Sequence, residues 1–207
     1  MSRLRRATRP LRDVLRDIAL PESASSDEHW QRQELNRAVD RHLRSLDPSR
    51  RSAAEISGTA HARRPWRRYV HLDYPAFDLC APLGEHDAFD VVICEQVIEH
   101  VVDPCAAARN LRELSVPGGH VVVSTPFLVR VHELPMYGLR DYWRFTPRGL
   151  RTLLERAGLE VETVGSWGNR TCVLGNFDRW PAYRRWHPLR NEPDLPVQVW
   201  AFARRPG

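Results

Sequence analysis

From Ser52 onward, short β-prone runs alternate with stretches of helical periodicity, and this alternation restricts the chain to an α/β domain on a mainly parallel sheet. The strand runs are Ala53–Ser57, Tyr69–Leu72, Phe89–Cys94, His120–Ser124, Leu159–Val164 and Val197–Ala203. A helix is expected from about Asp103 to Leu114, after which Pro117-Gly118-Gly119 turns the chain into the next strand. The following helix has the clearest ends. Thr146 is its N-cap and Pro147 suits the first turn; Leu150, Leu153, Leu154 and Ala157 form the buried stripe, and Gly158 closes it.

Two helices precede this pattern. Leu4, Leu11, Val14, Leu15 and Ile18 fall at helical spacing and are expected to dock, with the Arg-rich face left to solvent. Pro21 to Asp27 breaks that helix, and a second stripe follows at Leu35, Ala38, Val39, Leu43 and Leu46. The expected division is a helical extension over residues 1–50 and one α/β domain over 51–207. Residues 165–196 carry Trp167, Trp180 and Trp186 without periodicity and are read as a lid or substrate-contacting insertion, the bland alternative being a packed surface excursion.

Composition narrows the chemistry. All 31 basic residues are Arg, so mechanisms that need a lysine amine are excluded. The four Cys form no Cys-x-x-Cys pair and read as reduced thiols of a cytoplasmic protein, and no apolar run is long enough for a bilayer span. The net charge of +5 is concentrated at Arg3, Arg5, Arg6, Arg9, Arg12 and Arg16. A local excess of this kind, with no RNA-recognition module elsewhere, argues against nucleic acid as a partner.

Three segments stand out: Phe89-Asp90-Val91-Val92-Ile93-Cys94-Glu95-Gln96-Val97-Ile98-Glu99-His100-Val101, then Leu111 to Pro126, then His132, Pro135 and Asp141 to Pro147. Together they resemble the class I S-adenosylmethionine-dependent methyltransferases, and among them the small bacterial ones. The first is similar to the family's fourth strand and its Glu-His signature, the second to its next helix, turn and strand, and the third to the stretch before the helix that follows.

The resemblance implies a Rossmann-like class I fold, with a mostly parallel seven-stranded type of sheet, helices on both faces, and S-adenosylmethionine across the carboxyl ends of the strands. Only 30 residues separate Gly58 from Phe89, so the sheet is expected to lack one early strand with its helix, or to replace a helix by a loop at Arg63 to Arg68. Glu55 and Gly58 match the family's acidic residue and glycine turn, whereas Ser57 and Ala60 stand where glycines are common. The cofactor-binding set implied is Glu55, Ser57, Gly58, Asp73, Asp78, Glu95 and Gln96, with Asp73 and Asp78 rival contacts to ribose and adenine or simple turn residues.

His100 and His132 follow strands whose carboxyl ends face the site and are the candidate general bases. Glu99, Tyr142, Trp143, Arg144 and Trp167 are the candidate acceptor contacts; Tyr142, Trp143 and Phe145 would form an aromatic wall, and Asp141 is spaced to pair with Arg144. Glu95, Glu99 and His100 have the donor types of a cation site, but no metal belongs to the expected set. The expected activity is methyl transfer to a small molecule, a sugar or secondary metabolite. The rivals are a non-catalytic scaffold that binds a partner and a nucleic-acid methyltransferase using the basic first helix.

Overall fold

The structure is a computed structural model that describes residues 11–25, 28–133, 138–177 and 179–207. Leu4, Arg3, Arg5, Arg6, Arg9 and Pro135 lie outside the described residues.

One six-stranded sheet organises the chain, built from β1 (Ser52–Ile56), β2 (Arg68–Leu72), β3 (Phe89–Glu95), β4 (Ser115–Pro126), β5 (Glu160–Trp167) and β6 (Gln198–Arg204), in the spatial order β2-β1-β3-β4-β6-β5. The first four are parallel neighbours; β6 runs antiparallel to both β4 and β5. The sheet is therefore one strand short of the expected seven. Residues 73–88 form turns between β2 and β3, and residues 57–67 do the same between β1 and β2, so the curtailed spacing leaves β2 as the sheet edge.

The helices are α1 (Leu11–Ala19), α2 (Gln33–Ser45), α3 (Pro104–Leu114), α4 (Pro147–Arg156) and the short α5 (Arg170–Gly175). Their starts follow from side-chain caps. Asp103 accepts from the amides of Cys105 and Ala106, Thr146 from Gly149, and Asn169 from Cys172. Gly158, with φ +84°, takes the left-handed conformation that ends the α4 turn.

Two expectations need correction. Pro117-Gly118-Gly119 does not precede its strand but lies within it: the register jumps from Phe89↔Ser115 to Val91↔His120, so residues 116–119 bulge out, with Gly118 at φ +74°. The described part of the apolar stripe of α1 does not dock. Val14, Leu15 and Ile18 are exposed, and the helix end is held by polar contacts instead. Arg179 donates to Asp17 Oδ1 at 2.8 Å and to the Leu20 carbonyl at 3.0 Å, and His187 Nε2 lies 2.8 Å from the Ala19 carbonyl.

One face of the sheet is covered by α3 and α4, whose Leu111, Leu114, Leu150 and Leu154 share a core with Val92, Val121 and Ala201. The other face is covered by the chain's early helical part: Trp30, Leu35, Val39 and Leu43 pack with Ala53, Val91, Ile93 and Val122. Residues 165–196 complete that face. Their loop pairs with the early segment through the bridges Glu22↔Pro181 and His29↔Ala182, and His187 stacks on Trp30 at 4.3 Å. Trp167 is buried there, donating its indole N–H to the Leu189 carbonyl at 2.9 Å.

Candidate active site

At the carboxyl ends of β1 and β3 the chain makes two unusual turns. Ser57 and Gln96, the residues just past each strand, have φ of +50° and +57°. Non-glycine residues in this region cost about 1–3 kcal/mol and persist where surrounding structure holds them, often at ligand sites. Here the Ser57 amide donates to the Leu72 carbonyl at 2.9 Å and that of Gln96 to the Ser124 carbonyl at 2.8 Å. Ser57 thus adopts glycine-like geometry where the sequence lacks the glycine.

Three adjoining clefts open at these turns, and Ser57 lines all of them. The first, ≈570 Å³, is walled by Glu55, Gly58, Thr59, Arg32, Arg63 and Glu95. The second, ≈250 Å³, runs beside Asp78, Leu79, Cys80, Tyr74, Val97 and Tyr142. The third, ≈370 Å³, lies between Gln96, His100, His132, His29, Gln31 and Trp180. His100 and Val97 border both the second and the third.

In the first cleft, buried Glu55 shapes the turn that follows it. Its carboxylate accepts from the amides of Ala60 (3.0 Å) and His61 (3.1 Å) and from the Tyr69 hydroxyl (2.6 Å). Burial, and then the Glu55 carboxylate, push the Tyr69 phenol upward. The Gly58 amide faces His71 Nε2 at 3.2 Å, and a Cβ at Gly58 would sit 3.3 Å from Glu55 Oε1.

Glu95 closes the same cleft. It meets His61 Nε2 at 2.6 Å and Arg32 Nη2 at 3.2 Å. Burial opposes its ionisation, but the His61 hydrogen bond and the Arg32 charge prevail and hold the carboxyl below its ordinary range. Arg32 and His61 were not expected at the site. Neither has a local motif; each arrives through tertiary packing.

The other expected residues are placed unequally. Asp78 lines the second cleft while also accepting from the Cys80 amide at 2.8 Å, so its turn role and its cleft position coexist. Asp73 is exposed just past the end of β2 and does not itself line the clefts, although it adjoins Tyr74 and its carbonyl accepts from the amide of Phe77, both of which line the second. Gln96 reaches the third cleft and donates to Gln198 Oε1 at 2.9 Å. Tyr142 reaches the second cleft, whereas Trp143 and Phe145 face a separate groove beside α4 and the Trp143 indole N–H binds the Val101 carbonyl. The three aromatics therefore do not form one wall. Arg144 is ion-paired with buried Asp141, Nη2 to Oδ2 at 2.5 Å, and holds the turn as its spacing implies. Trp180, rather than Trp167, brings the 165–196 segment to the clefts.

Glu99 is fully buried behind the third cleft, and neither carboxylate oxygen has a hydrogen-bond partner among the described residues. Burial pushes its carboxyl up to about 8. His100 and His132 meet edge to face at 5.0 Å between ring centres.

A family model described as a methyltransferase domain matches residues 22–164. The chain belongs to the class I S-adenosylmethionine-dependent methyltransferases. A curated relative of this methyltransferase, the ubiquinone biosynthesis O-methyltransferase of Xylella fastidiosa strain M23, is 28% identical over 130 residues, covering 53% of this chain and 52% of the relative. The chain spans about half the length of the curated relatives it matches first. Among solved structures, the Burkholderia thailandensis 1,6-didemethyltoxoflavin-N1-methyltransferase superposes with a TM-score of 0.55 at 14% identity, covering 87% of this chain and 80% of that one. A Mesorhizobium loti S-adenosylmethionine-dependent methyltransferase gives 0.53 at 16% identity, covering 80% and 96%. At these identities the structures show a shared fold.

Among the described residues no helix is long and apolar enough to cross a membrane. Cys80, Cys94, Cys105 and Cys172 are free thiols.

Proposed function

We propose that this methyltransferase transfers a methyl group from S-adenosylmethionine to a hydroxyl of a small ring-bearing acceptor, of the sugar or secondary-metabolite class. The observation that carries the reading is the meeting of three clefts at Ser57, because a donor and an acceptor held in adjoining spaces react without a bimolecular entropy cost.

The cleft residues fit the cofactor's chemistry. The turn from Ser57 to Ala60 lets backbone approach closely at Gly58, and Arg63 offers a charge for the carboxylate of an amino-acid moiety beside the ion-paired Arg32 and Glu95. The second cleft pairs apolar Leu79, Val97 and Phe77 with the carboxylate of Asp78, suited to a nucleoside. S-adenosylmethionine supplies an activated methyl on a sulfonium, so the protein's part is alignment, water exclusion and removal of the acceptor's proton.

The third cleft then receives the acceptor. Trp180, Pro126 and Leu139 give apolar walls, Gln96 and Gln31 offer hydrogen bonds, and His100 and His132 are basic groups at its side. In metal-free protein either imidazole, when neutral, accepts the hydroxyl proton. The O-methyltransferase names of the relatives support an oxygen acceptor.

Calorimetry with S-adenosylhomocysteine on the full chain tests the first half. Saturable binding is expected, and folded protein that gives no heat and no thermal stabilisation would overturn the reading. Transfer of labelled methyl to a panel of phenols, catechols and sugars tests the second; label on nitrogen acceptors alone would reject the oxygen assignment.

A further inference from the structure

The Glu99, His100 and His132 side chains each present one potential ligand atom, and these three atoms lie within 4.8 Å of one another at the acceptor cleft. From this cluster we infer that the methyltransferase binds one divalent first-row cation, such as Zn²⁺ or Mn²⁺, through one carboxylate and two imidazoles.

Three further observations point the same way. Glu99 is completely buried with both carboxylate oxygens unpartnered among the described residues, a costly arrangement that a directly bound cation relieves. His100 Nδ1 lies 2.6 Å from the Arg140 carbonyl, so that nitrogen must carry the hydrogen; Nε2 is left with its lone pair, 3.9 Å from Glu99 Oε1. His132 Nδ1 lies 3.1 Å from Asp141 Oδ2, and Asp141 is itself held by Arg144. The His100 imidazole is thus oriented from behind by an oxygen, the arrangement that fixes tautomer and aim in histidine metal ligands, while His132 Nδ1 is buried with no hydrogen-bond partner among the described residues.

The ligand set is selective in kind. Two nitrogens and one oxygen suit Zn²⁺, Mn²⁺ or Fe²⁺ better than Ca²⁺ or Mg²⁺, which prefer all-oxygen shells. Bond lengths of about 2.0–2.2 Å require the three side chains to draw together slightly from their present separation. Glu95, a neighbour in sequence, is not part of this set, because His61 and Arg32 already occupy its carboxylate.

Both imidazoles line the acceptor cleft, so an ion held here keeps open positions facing it. This inference rests on the proposal that the cleft takes a hydroxylated acceptor. An acceptor oxygen bound at an open position loses its proton more readily, the proton passing to water, while the imidazoles serve as ligands rather than as bases.

The test uses full-length protein stripped with EDTA and then dialysed free of it. Titration calorimetry with ZnCl₂ and with MnCl₂ should show one ion per chain for at least one of the metals, and Glu99→Gln and His132→Ala should each weaken its binding at least tenfold. Glu99→Gln keeps shape and removes charge, and S-adenosylhomocysteine binding by each variant shows that it is folded. Absence of binding by either metal, or unchanged affinity in folded Glu99→Gln, overturns the site. Loss of metal binding with intact S-adenosylhomocysteine binding by wild type would reject the cation and leave the methyltransferase reading standing; the converse would reject that reading alone.

Discussion

Ser57 and Gln96 are left-handed counterparts: each is the residue after one of two adjacent parallel strands, with φ +50° and +57°, and each has its amide tied to the next strand in the sheet. The paired reversal turns both chains away from the sheet at the same level and opens the space in which the clefts meet. Gln96 belongs to the stretch that resembles the family's Glu-His signature, whereas Ser57 occupies a position where the resemblance would place glycine.

Ser57→Gly is therefore expected to relieve backbone strain without changing the turn. Stability should be retained or rise by up to about 1 kcal/mol, the gain being offset in part by the larger entropy of unfolded glycine. Affinity for S-adenosylhomocysteine should hold. Urea unfolding and calorimetry measure the two quantities, and a clear loss of stability would contradict the strain argument.

Gly58→Val acts on the neighbouring position in the opposite sense. The new Cβ would lie 3.3 Å from Glu55 Oε1, and its methyl groups would press on the carboxylate that holds the amides of Ala60 and His61. S-adenosylhomocysteine affinity should fall at least tenfold while the circular dichroism of the sheet persists. Unchanged affinity would remove this turn from the cofactor site.

β3 was readable because a buried strand is a largely apolar run, and both it and β1, which is buried along its length despite Ser52 and Glu55, lie within a residue or two of their expected limits. That the early half is curtailed was readable from length, which left open whether a strand with its helix was lost or a helix was replaced by a loop. The site was less so. Residues adjacent to strand ends, such as Glu55, Glu95 and His100, could be placed because their positions follow from the strands. Arg32, His61 and Trp180 could not, since they reach the clefts from a helical segment, a turn and an aperiodic loop whose docking no local pattern encodes. The α1 stripe misled for a related reason: hydrophobic spacing marks a face able to dock, but the partner surface must exist.

Trp30→Ala should destabilise the protein by about 3–5 kcal/mol, the usual range for truncating a buried Trp. Its side chain is fully buried, stacks on His187 at 4.3 Å, and donates its indole N–H to the Pro188 carbonyl at 3.2 Å. It thus joins the early helical part, the sheet and the late loop in one core. Denaturant unfolding should show a single transition at lower urea. A loss below ~1 kcal/mol would mean that the early segment is not integral to that core.

Acid sensitivity should begin near neutrality, through His42 and His120. His42 on α2 lies flat on Phe202, ring centres 4.0 Å apart, and meets His120 of β4 edge-on at 6.0 Å. His42 Nε2 and His120 Nδ1 are buried without hydrogen-bond partners among the described residues. Burial lowers both pKa values, reinforced for His42 by His120 and for His120 by Arg51 and Arg204, while Glu162 and Asp90 oppose the shifts. The unfolded chain takes up protons on these groups near pH ~6.5 and the folded chain only at lower pH. The contribution of these two histidines to stability is therefore full above that value and falls as pH drops through it toward the folded-state values, whereas Glu99, raised to about 8, contributes in the opposite sense. His42→Phe keeps the stack on Phe202 and removes one of the two titrations. Urea unfolding at pH 7.5 and pH 5.5 should show a smaller loss for the variant than for wild type; equal losses would place the acid sensitivity elsewhere.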